Sequence, residues 1–124
     1  MKNSPLVTAT VCVRDGAIWV DDCIKALLAQ TYRPLEIIAI DDGSSDGSKE
    51  KLLSWNQEEG EVPVRVFTQG KKGLSAGRQW AVEEAKGDWV AITDIDVRPE
   101  PDWIETMIAE TEPLDEEETV VAVT

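Results

Sequence analysis

The sequence contains no histidine among its 124 residues. The serine and cysteine nucleophiles of many hydrolases depend on a histidine base, and many zinc sites depend on imidazole ligands. The absence of histidine therefore excludes those mechanisms and every histidine-ligated zinc site. Any chemistry of this chain has to use carboxylates, hydroxyls, backbone amides, lysine and arginine.

Cysteine is also scarce, with Cys12 in an apolar run and Cys23 in a predicted helix. A small secreted domain held together by disulfides usually contains more cysteines, and neither residue belongs to a C-x-x-C motif. We therefore expect two reduced thiols in the core, as is usual for proteins of a reducing compartment.

Long apolar runs are absent as well. No run approaches the roughly 20 residues that cross a bilayer, and the N-terminal stretch "MKNSPLVTATVCVRDG" lacks the apolar core of a secretory signal. We predict a cytoplasmic protein without a membrane segment, although a longer parent protein could be membrane-associated. The length of 124 residues and the hydrophobic content of 42% predict a single domain over residues 1–124.

The charge of the chain is strongly negative but unevenly distributed. A formal net charge of −13 argues against nucleic acid and anionic membrane surfaces as partners. Residues 62–82, however, contain no acidic side chain and carry Arg65, Lys71, Lys72 and Arg78. A basic segment inside an acidic protein indicates one local anion-binding site.

Five apolar, β-branched runs predict strands, and helix-like patterns fill the intervals between them. The predicted strands cover residues 6–13, 35–40, 62–67, 88–93 and 119–124. Regular alternation of strands and helices is typical of an α/β fold with a mostly parallel sheet sandwiched by helices. Ligands of such sheets bind outside the carboxyl ends of the strands, so the loops at these ends are the places to search.

The loops that follow the first four predicted strands carry charged residues or glycine. They cover residues 14–16, 41–44, 70–73 and 94–96. Asp94 and Asp96 are separated by one residue, and two such carboxylates suit a hard cation such as Mg²⁺ or Mn²⁺. Gly73 precedes a predicted helix whose N-terminus favours an anion, and Arg78 lies one turn further on. A metal ion together with Arg78 would balance the charge of a nucleotide diphosphate.

The sequence does not match other well-known ligand-binding motifs, because each lacks a required residue. The stretch "DDGSSDGSKE" imitates a calcium-binding loop, but the twelfth position is Leu53 instead of glutamate. No G-x-x-x-x-G-K-[ST] sequence is present, and the glycines at 70, 73 and 77 do not form G-x-G-x-x-G. A P-loop and a dinucleotide-binding domain are therefore disfavoured. A sugar nucleotidyltransferase is disfavoured too, because Arg14-Asp15-Gly16 supplies no glycine-rich signature after the first strand.

The ordered set of short motifs resembles glycosyltransferase family 2. The resemblance covers roughly residues 5 to 110 and includes Gln-Thr-Tyr, Glu-Ile-Ile before Asp-Asp-Gly-Ser, G-x-S-x-x-R, A-x-G-D and the final D-x-D. It implies the Rossmann-like GT-A fold, here as the N-terminal half that binds the nucleotide sugar. It departs from the family at Arg14-Asp15, where Tyr-Asn is frequent, and at Lys71 and Gln79, where asparagine is usual.

The resemblance also implies roles for individual residues. Nucleotide contacts fall on Arg14, Asp15, Asp41, Asp42, Arg78 and Asp94. Within this set Asp41 is favoured for the uracil, Arg78 for the pyrophosphate and Asp94 for the ribose. Asp94 and Asp96 form the D-x-D motif that binds Mn²⁺ or Mg²⁺, with Asp96 favoured as the direct metal ligand.

The function implied is metal-dependent binding of a nucleotide-diphospho-sugar, most often a UDP-sugar, as the donor-binding part of an inverting glycosyltransferase. No catalytic base is identifiable, because the acids at 115–118 fit a solvated charge run better. The acceptor is unknown. The alternative is a non-catalytic nucleotide-binding or assembly module that lacks the acceptor half. Surface left uncovered by an absent half would expose apolar side chains, so self-association is also predicted.

Overall fold

The computed structural model of the protein describes residues 4–110 and the backbone of residues 120–123. Over these residues the chain forms one five-stranded sheet in the order β3-β2-β1-β4-β5, and every strand pairs in parallel with its neighbours. The strands are β1 (Val7–Val13), β2 (Leu35–Asp42), β3 (Val64–Gln69), β4 (Trp89–Asp94) and β5 (Val120–Val123). The predicted α/β class and parallel sheet are confirmed.

Helices connect the strands and cover the sheet on both faces. They are α1 (Ala17–Leu28), α2 (Ser48–Ser54), α3 (Leu74–Glu84) and α4 (Trp103–Glu110). Alternate residues of β1 divide between two core clusters, because successive strand side chains point to opposite faces. Val7, Val11 and Val13 pack with residues of α1, α2 and α4, whereas Cys12 packs with Ala81 of α3. The sheet is therefore a central layer between helices.

A buried polar network fastens the C-terminal end of α3 to the beginning of the strands. Glu36 is almost fully buried and accepts hydrogen bonds from Thr8 Oγ1 at 2.6 Å and from the backbone N–H of Lys86 at 2.8 Å. The same carboxylate forms an ion pair with Arg65 at 3.0 Å. Burying a charge is tolerated only when it is paired and hydrogen-bonded, and the Glu36 carboxylate meets both conditions. The network lies at the amino ends of the strands, away from the loops at their carboxyl ends.

The structure differs from the prediction at the end of β2. The "DDGSSDGS" segment was expected to be a loop from its first residue, but Asp41 and Asp42 continue the strand and pair with Thr68 and Gln69 of β3. Ladder pairing with β3 overrides the local turn chemistry of this segment. Helix α2 then begins at Ser48, and its N-cap is Gly47 in a left-handed conformation (φ +97°) that favours glycine.

None of the helices in the described part of the chain is long and apolar enough to cross a membrane. Among the residues whose side chains the structure describes, the exposed large apolar side chains are Ile18, Leu53 and Leu74. Self-association stays a prediction.

Candidate functional site at the carboxyl ends of the strands

The register of the sheet brings three strand ends together. Val13 of β1 pairs with Asp41 of β2, and Cys12 of β1 pairs with Asp94 of β4. The chain leaves β1 toward β2 and β3 and returns on the other side as β4, so the topology switches direction at β1. Open parallel sheets bind ligands in the crevice at such a switch point. The acidic residues at the ends of β2 and β4 lie on either side of this crevice.

Asp42 is fully buried, and its carboxylate is occupied by donors from the protein itself. It accepts hydrogen bonds from Gln69 Nε2 at 2.9 Å, from the backbone N–H of Lys72 at 2.8 Å and from that of Gly73 at 3.1 Å. Arg14 adds an ion pair at 2.6 Å. Burial alone would raise the pKa of Asp42, but these hydrogen bonds lower it below its usual value. Asp42 therefore joins the loop after β1 to the loop after β3.

Asp41 is also buried, but one of its oxygens has no partner. Oδ2 accepts the backbone N–H of Ser44 at 3.2 Å. Oδ1 accepts no hydrogen bond from the described residues. A buried carboxylate oxygen without a donor is unfavourable by about 1–3 kcal/mol. A ligand that brings an N–H donor to this position would remove that penalty.

Hydrogen bonds join the loop after β1 to the loop after β2. Asp15 adopts a positive φ of 54°, and its Oδ1 accepts the backbone N–H of Ser45 at 2.8 Å. Its own N–H donates to Ser44 Oγ at 2.9 Å. Asp46 accepts the N–H of Ala17, the first residue of α1, at 3.1 Å. Together these contacts fix the shape of one wall of the crevice.

The other wall carries Arg78, Asp94 and Asp96. Arg78 lies in α3 and donates to Asp94 Oδ1 at 2.7 Å, with the two side chains 41% and 52% exposed. Asp96 follows in an exposed turn in which the N–H of Val97 donates to the carbonyl of Asp94 at 3.1 Å. Asp96 accepts no hydrogen bond from any described residue, so its oxygens are available to a ligand.

The acidic pair at the end of β4 is chemically suited to a hard divalent cation. Carboxylate oxygens are preferred ligands of Mg²⁺ and Mn²⁺. No cluster of three or more acidic or cysteine ligands occurs within the described residues. A cation held by Asp94 and Asp96 would therefore take its remaining ligands from water or from the oxygens of a bound phosphate, as Mg²⁺ commonly does.

Positive charge surrounds the beginning of α3, beside the crevice. Gly73 is the N-cap, in a conformation (φ +100°) that favours glycine, and no side chain caps the helix. Lys71 and Lys72 immediately precede it and are exposed. Gly43 allows this loop to approach, because a Cβ at Gly43 would lie 2.7 Å from the backbone nitrogen of Lys71. The predicted anion-favouring helix start therefore lies next to the end of β2.

The residues predicted for the site thus occupy one edge of the sheet, and their roles stay predictions. The structure adds Gln69, Ser44 and Asp46, which the sequence analysis did not select. The available signal was their position in the loops at the strand ends, but their partners lie between 3 and 29 residues away. The pairing itself depends on the fold.

Comparison with known proteins supports a common origin for this arrangement. The family model described as glycosyl transferase family 2 matches residues 9–124. The chain is 29% identical over 112 residues to the glycosyltransferase GlyG of Streptococcus pneumoniae serotype 4, covering 90% of this chain and 37% of that protein. It is 35% identical over 101 residues to the cholesterol galactosyltransferase of Borreliella burgdorferi, covering 82% of this chain and 28% of that protein.

Solved structures show the same fold. A mannosyltransferase from Pyrobaculum calidifontis in complex with GDP-Man and Mn²⁺ superposes with a TM-score of 0.67 at 24% identity, over 76% of this chain and 28% of that one. S. aureus TarS 1-349 in complex with UDP gives a TM-score of 0.68 at 17% identity, over 83% and 31%. The chain spans about a third of the length of the relatives it matches. From the family match and the architecture together, the chain belongs to glycosyltransferase family 2 and has the α/β GT-A fold of its N-terminal part.

Proposed function

We propose that this chain is the donor-binding part of a metal-dependent, inverting glycosyltransferase that uses a UDP-sugar. The observation that carries the proposal is the arrangement around β1. An unfilled carboxylate oxygen of Asp41 lies at the end of β2, and Arg78 with Asp94 and Asp96 lies at the end of β4. A nucleotide diphosphate has complementary chemistry, with N–H donors on its base and anionic oxygens on its phosphates.

Asp41 is the proposed contact to the base. Its Oδ1 needs a donor, and uracil offers its ring N–H. The oxygen is buried in this structure, so the base can reach it only when the atoms around it move. Arg14 and Asp15 follow β1 at the same end of the crevice. The carboxylate of Asp42 already accepts hydrogen bonds from Gln69 and Lys72, so it holds the neighbouring loops in place and is not proposed as an acceptor for the base.

Asp94, Asp96 and Arg78 are the proposed contacts to the diphosphate. Asp96 has free oxygens, and Asp94 can turn to the cation when Arg78 turns to a phosphate. This exchange is energetically accessible, because exposed ion pairs contribute only about 0–1 kcal/mol. Mn²⁺ or Mg²⁺ held here supplies positive charge against the diphosphate leaving group. The exposed side chains of Lys71 and Lys72 add further positive charge, whereas the N–H groups of Lys72 and Gly73 already donate to the carboxylate of Asp42.

The chain's own residues would bind and orient the donor, and none of the described residues is assigned as the base that activates an acceptor. The uridine preference and the use of metal are parts of the proposal. One neighbour of the same fold was solved with UDP and another with GDP-Man and Mn²⁺, so the nucleotide has to be tested as well as the metal.

Calorimetric titration of UDP and GDP with and without Mn²⁺ tests the proposal. The wild-type chain should bind UDP only with Mn²⁺, and more tightly than GDP. Asp96→Asn should weaken UDP binding more than about tenfold, a loss of about 1.4 kcal/mol. Glu59→Gln is the matched control, because it also removes one negative charge. Glu59 is exposed and lies in the connection that precedes the amino end of β3, whereas the candidate site lies at the carboxyl ends of the strands.

Two results would count against the proposal. Equal binding of UDP with and without Mn²⁺, unchanged in Asp96→Asn, would separate the acidic pair from donor binding. Absence of UDP binding by a folded wild-type chain in all conditions would reject the donor site in this chain.

A further inference from the structure

A groove outside the candidate donor site lies along α3 at the edge of the sheet formed by β3. β3 is the last strand on this side of the sheet. One wall of the groove is a single face of α3, made of Ala76, Gln79, Trp80 and Glu83, and the other is the end of β3 with the loop that follows it. The groove has a volume of about 630 Å³, which lies within the range of about 300–1,000 Å³ found for ligand sites.

The groove is separate from the phosphate contacts proposed above. Arg78 is two residues from both Ala76 and Trp80 in the sequence, and residues two apart on a helix do not share a face. The side of α3 that carries Trp80 is therefore turned away from the side that carries Arg78. Gln69 and Lys72 connect the groove to the residues around Asp42.

Trp80 supplies the aromatic surface of this groove. Its ring packs against that of Phe67, with the centroids 5.1 Å apart and the planes inclined by 54°. The guanidinium of Arg65 lies 5.8 Å from the centroid of the same Phe67 ring. Trp80 is half-buried, and its Nε1 donates to none of the described residues. A ring held in this way loses little freedom when a ligand binds.

Gln69 supplies a fixed acceptor to the same groove. Its Nε2 donates to Asp42 Oδ1 at 2.9 Å and to the carbonyl of Gly73 at 3.1 Å, so both amide hydrogens are used. These two acceptors determine which end of the amide is nitrogen. The Oε1 atom of Gln69 accepts no hydrogen bond within the described part of the chain. It is therefore available to a hydroxyl of a bound molecule.

The charge and polarity of the lining narrow the class of ligand. Lys72 and Glu83 are its charged residues and balance each other, in a chain whose net charge is −13. The overall negative charge opposes an anion that arrives without a metal ion. Trp80 and Ala76 are the apolar lining residues, and this is too little apolar surface for a lipid. A neutral molecule with one apolar face and many hydroxyl groups fits both conditions.

We propose that this groove is a second binding site and that its ligand is a neutral oligosaccharide. A pyranose ring has C–H groups on its flat face and hydroxyls around its rim. The face would stack on the indole of Trp80, while rim hydroxyls donate to Gln69 Oε1 and accept from Trp80 Nε1. This site needs neither a nucleotide nor a metal ion, so it goes beyond the proposed donor binding and does not depend on it.

NMR titration of the ¹⁵N-labelled chain tests this inference. The probes are cellopentaose, chitopentaose and maltopentaose, each added with EDTA present so that no metal ion contributes. We expect at least one probe to shift the indole N–H resonance of Trp80. The indole N–H of Trp55 is the internal control, because it donates to Asp21 at 2.9 Å and lies in the segment after α2; it should not shift.

Two variants test the groove by different means. Trp80→Leu removes the ring and should weaken binding of the oligosaccharide about tenfold. Ala76→Arg fills the groove without removing the contact between Trp80 and Phe67, and it should abolish binding. Ser75→Arg is the matched control, because it adds the same side chain at an exposed neighbouring position that does not line the groove. The melting temperature of each variant establishes that it is folded, and either variant decides the question if the other is not.

The inference is overturned if no probe shifts the Trp80 resonance of the folded wild-type chain, or if the folded variants bind as tightly as the wild type. Penta-alanine that shifts the same resonances where the sugars do not would identify a peptide site instead. Affinity should be unchanged between about 0.05 M and about 0.5 M sodium chloride, because a neutral ligand is not screened; a steep fall would reject the neutral class. Failure of the chain to bind UDP would reject the donor site and leave this result unaffected.

Discussion

Replacing Gly77 with alanine tests how closely α3 lies on the sheet. Gly77 is buried in the first turn of α3, on the side that faces β1, β2 and β3. A Cβ at this position would overlap Cys12 Sγ of β1 and would lie 3.4 Å from both Gln69 Nε2 and Ile40 Cγ2. The Cys12 side chain, the helix or β1 has to move. Because α3 also carries Arg78, the displacement would disturb the candidate site.

Two opposing effects determine the sign of the change in stability. Alanine is favoured over glycine in a helix by about 1 kcal/mol. Overpacking a close-packed interior costs about 1–3 kcal/mol, and the overlap with Cys12 Sγ places Gly77→Ala near the upper end. We therefore expect the free energy of unfolding to fall by about 2 kcal/mol. For a chain of this size that corresponds to a melting temperature lower by roughly 6–10 °C.

Urea denaturation followed by circular dichroism measures the effect. Gly70→Ala is the control, because a Cβ there meets no atom within 4 Å, and its free energy of unfolding should change by less than about 0.5 kcal/mol. Adding Cys12→Ala to Gly77→Ala removes the obstructing sulfur, so the double variant should be more stable than the sum of the single changes by about 1 kcal/mol or more. A Gly77→Ala protein as stable as the wild type would refute the reasoning.

Three further predictions follow from buried groups. Burial raises the pKa of Cys12 to about 11 and of Cys23 to about 12, so at pH 8 both thiols should react with Ellman's reagent far more slowly in the folded than in the urea-unfolded chain; rapid reaction without urea would contradict the burial. The lowered pKa of Asp42 means that its stabilising contribution is present above its ordinary pKa of 3.8 and is lost as the pH falls through the lower, folded value. Asp42→Asn should therefore show a shallower acid-induced loss of unfolding free energy than the wild type, and equal slopes would exclude this contribution. Glu36→Ala breaks a buried ion pair and should cost about 3–5 kcal/mol, whereas Glu61→Ala breaks an exposed pair and should cost less than about 1 kcal/mol in the same urea assay; similar losses would refute the distinction.

The elements of the fold could be predicted because their signals are local. The apolar, β-branched run of β1 indicates a buried strand, and the helical stripe of Val20, Ile24 and Leu27 packs in the core on one face of the sheet. The order of the strands in the sheet was not predicted. The order depends on contacts between distant segments, which one sequence does not encode in any short window.

The residues of the candidate site could be predicted from the sequence, but their hydrogen-bond partners could not. The positions of the loops after the predicted strands pointed to residues 41–44 and 94–96, and the family resemblance then assigned Asp41, Asp42 and Asp94 to the nucleotide. The difference between Asp41, with a free oxygen, and Asp42, with none, arises from donors at Gln69 and Lys72. These donors are 27 and 30 residues away from Asp42 in the chain. Two adjacent aspartates look equivalent in the sequence and become different only in the folded ladder.

The most direct test of the account is a crystal structure of the chain with UDP and Mn²⁺, with the manganese located by its anomalous scattering. The account predicts an anomalous peak bound by Asp96, the diphosphate beside Arg78, and the uracil N–H donating to Asp41 Oδ1 over the carboxyl end of β1. A nucleotide bound elsewhere on the chain, or a manganese peak away from Asp94 and Asp96, would contradict the proposed donor site.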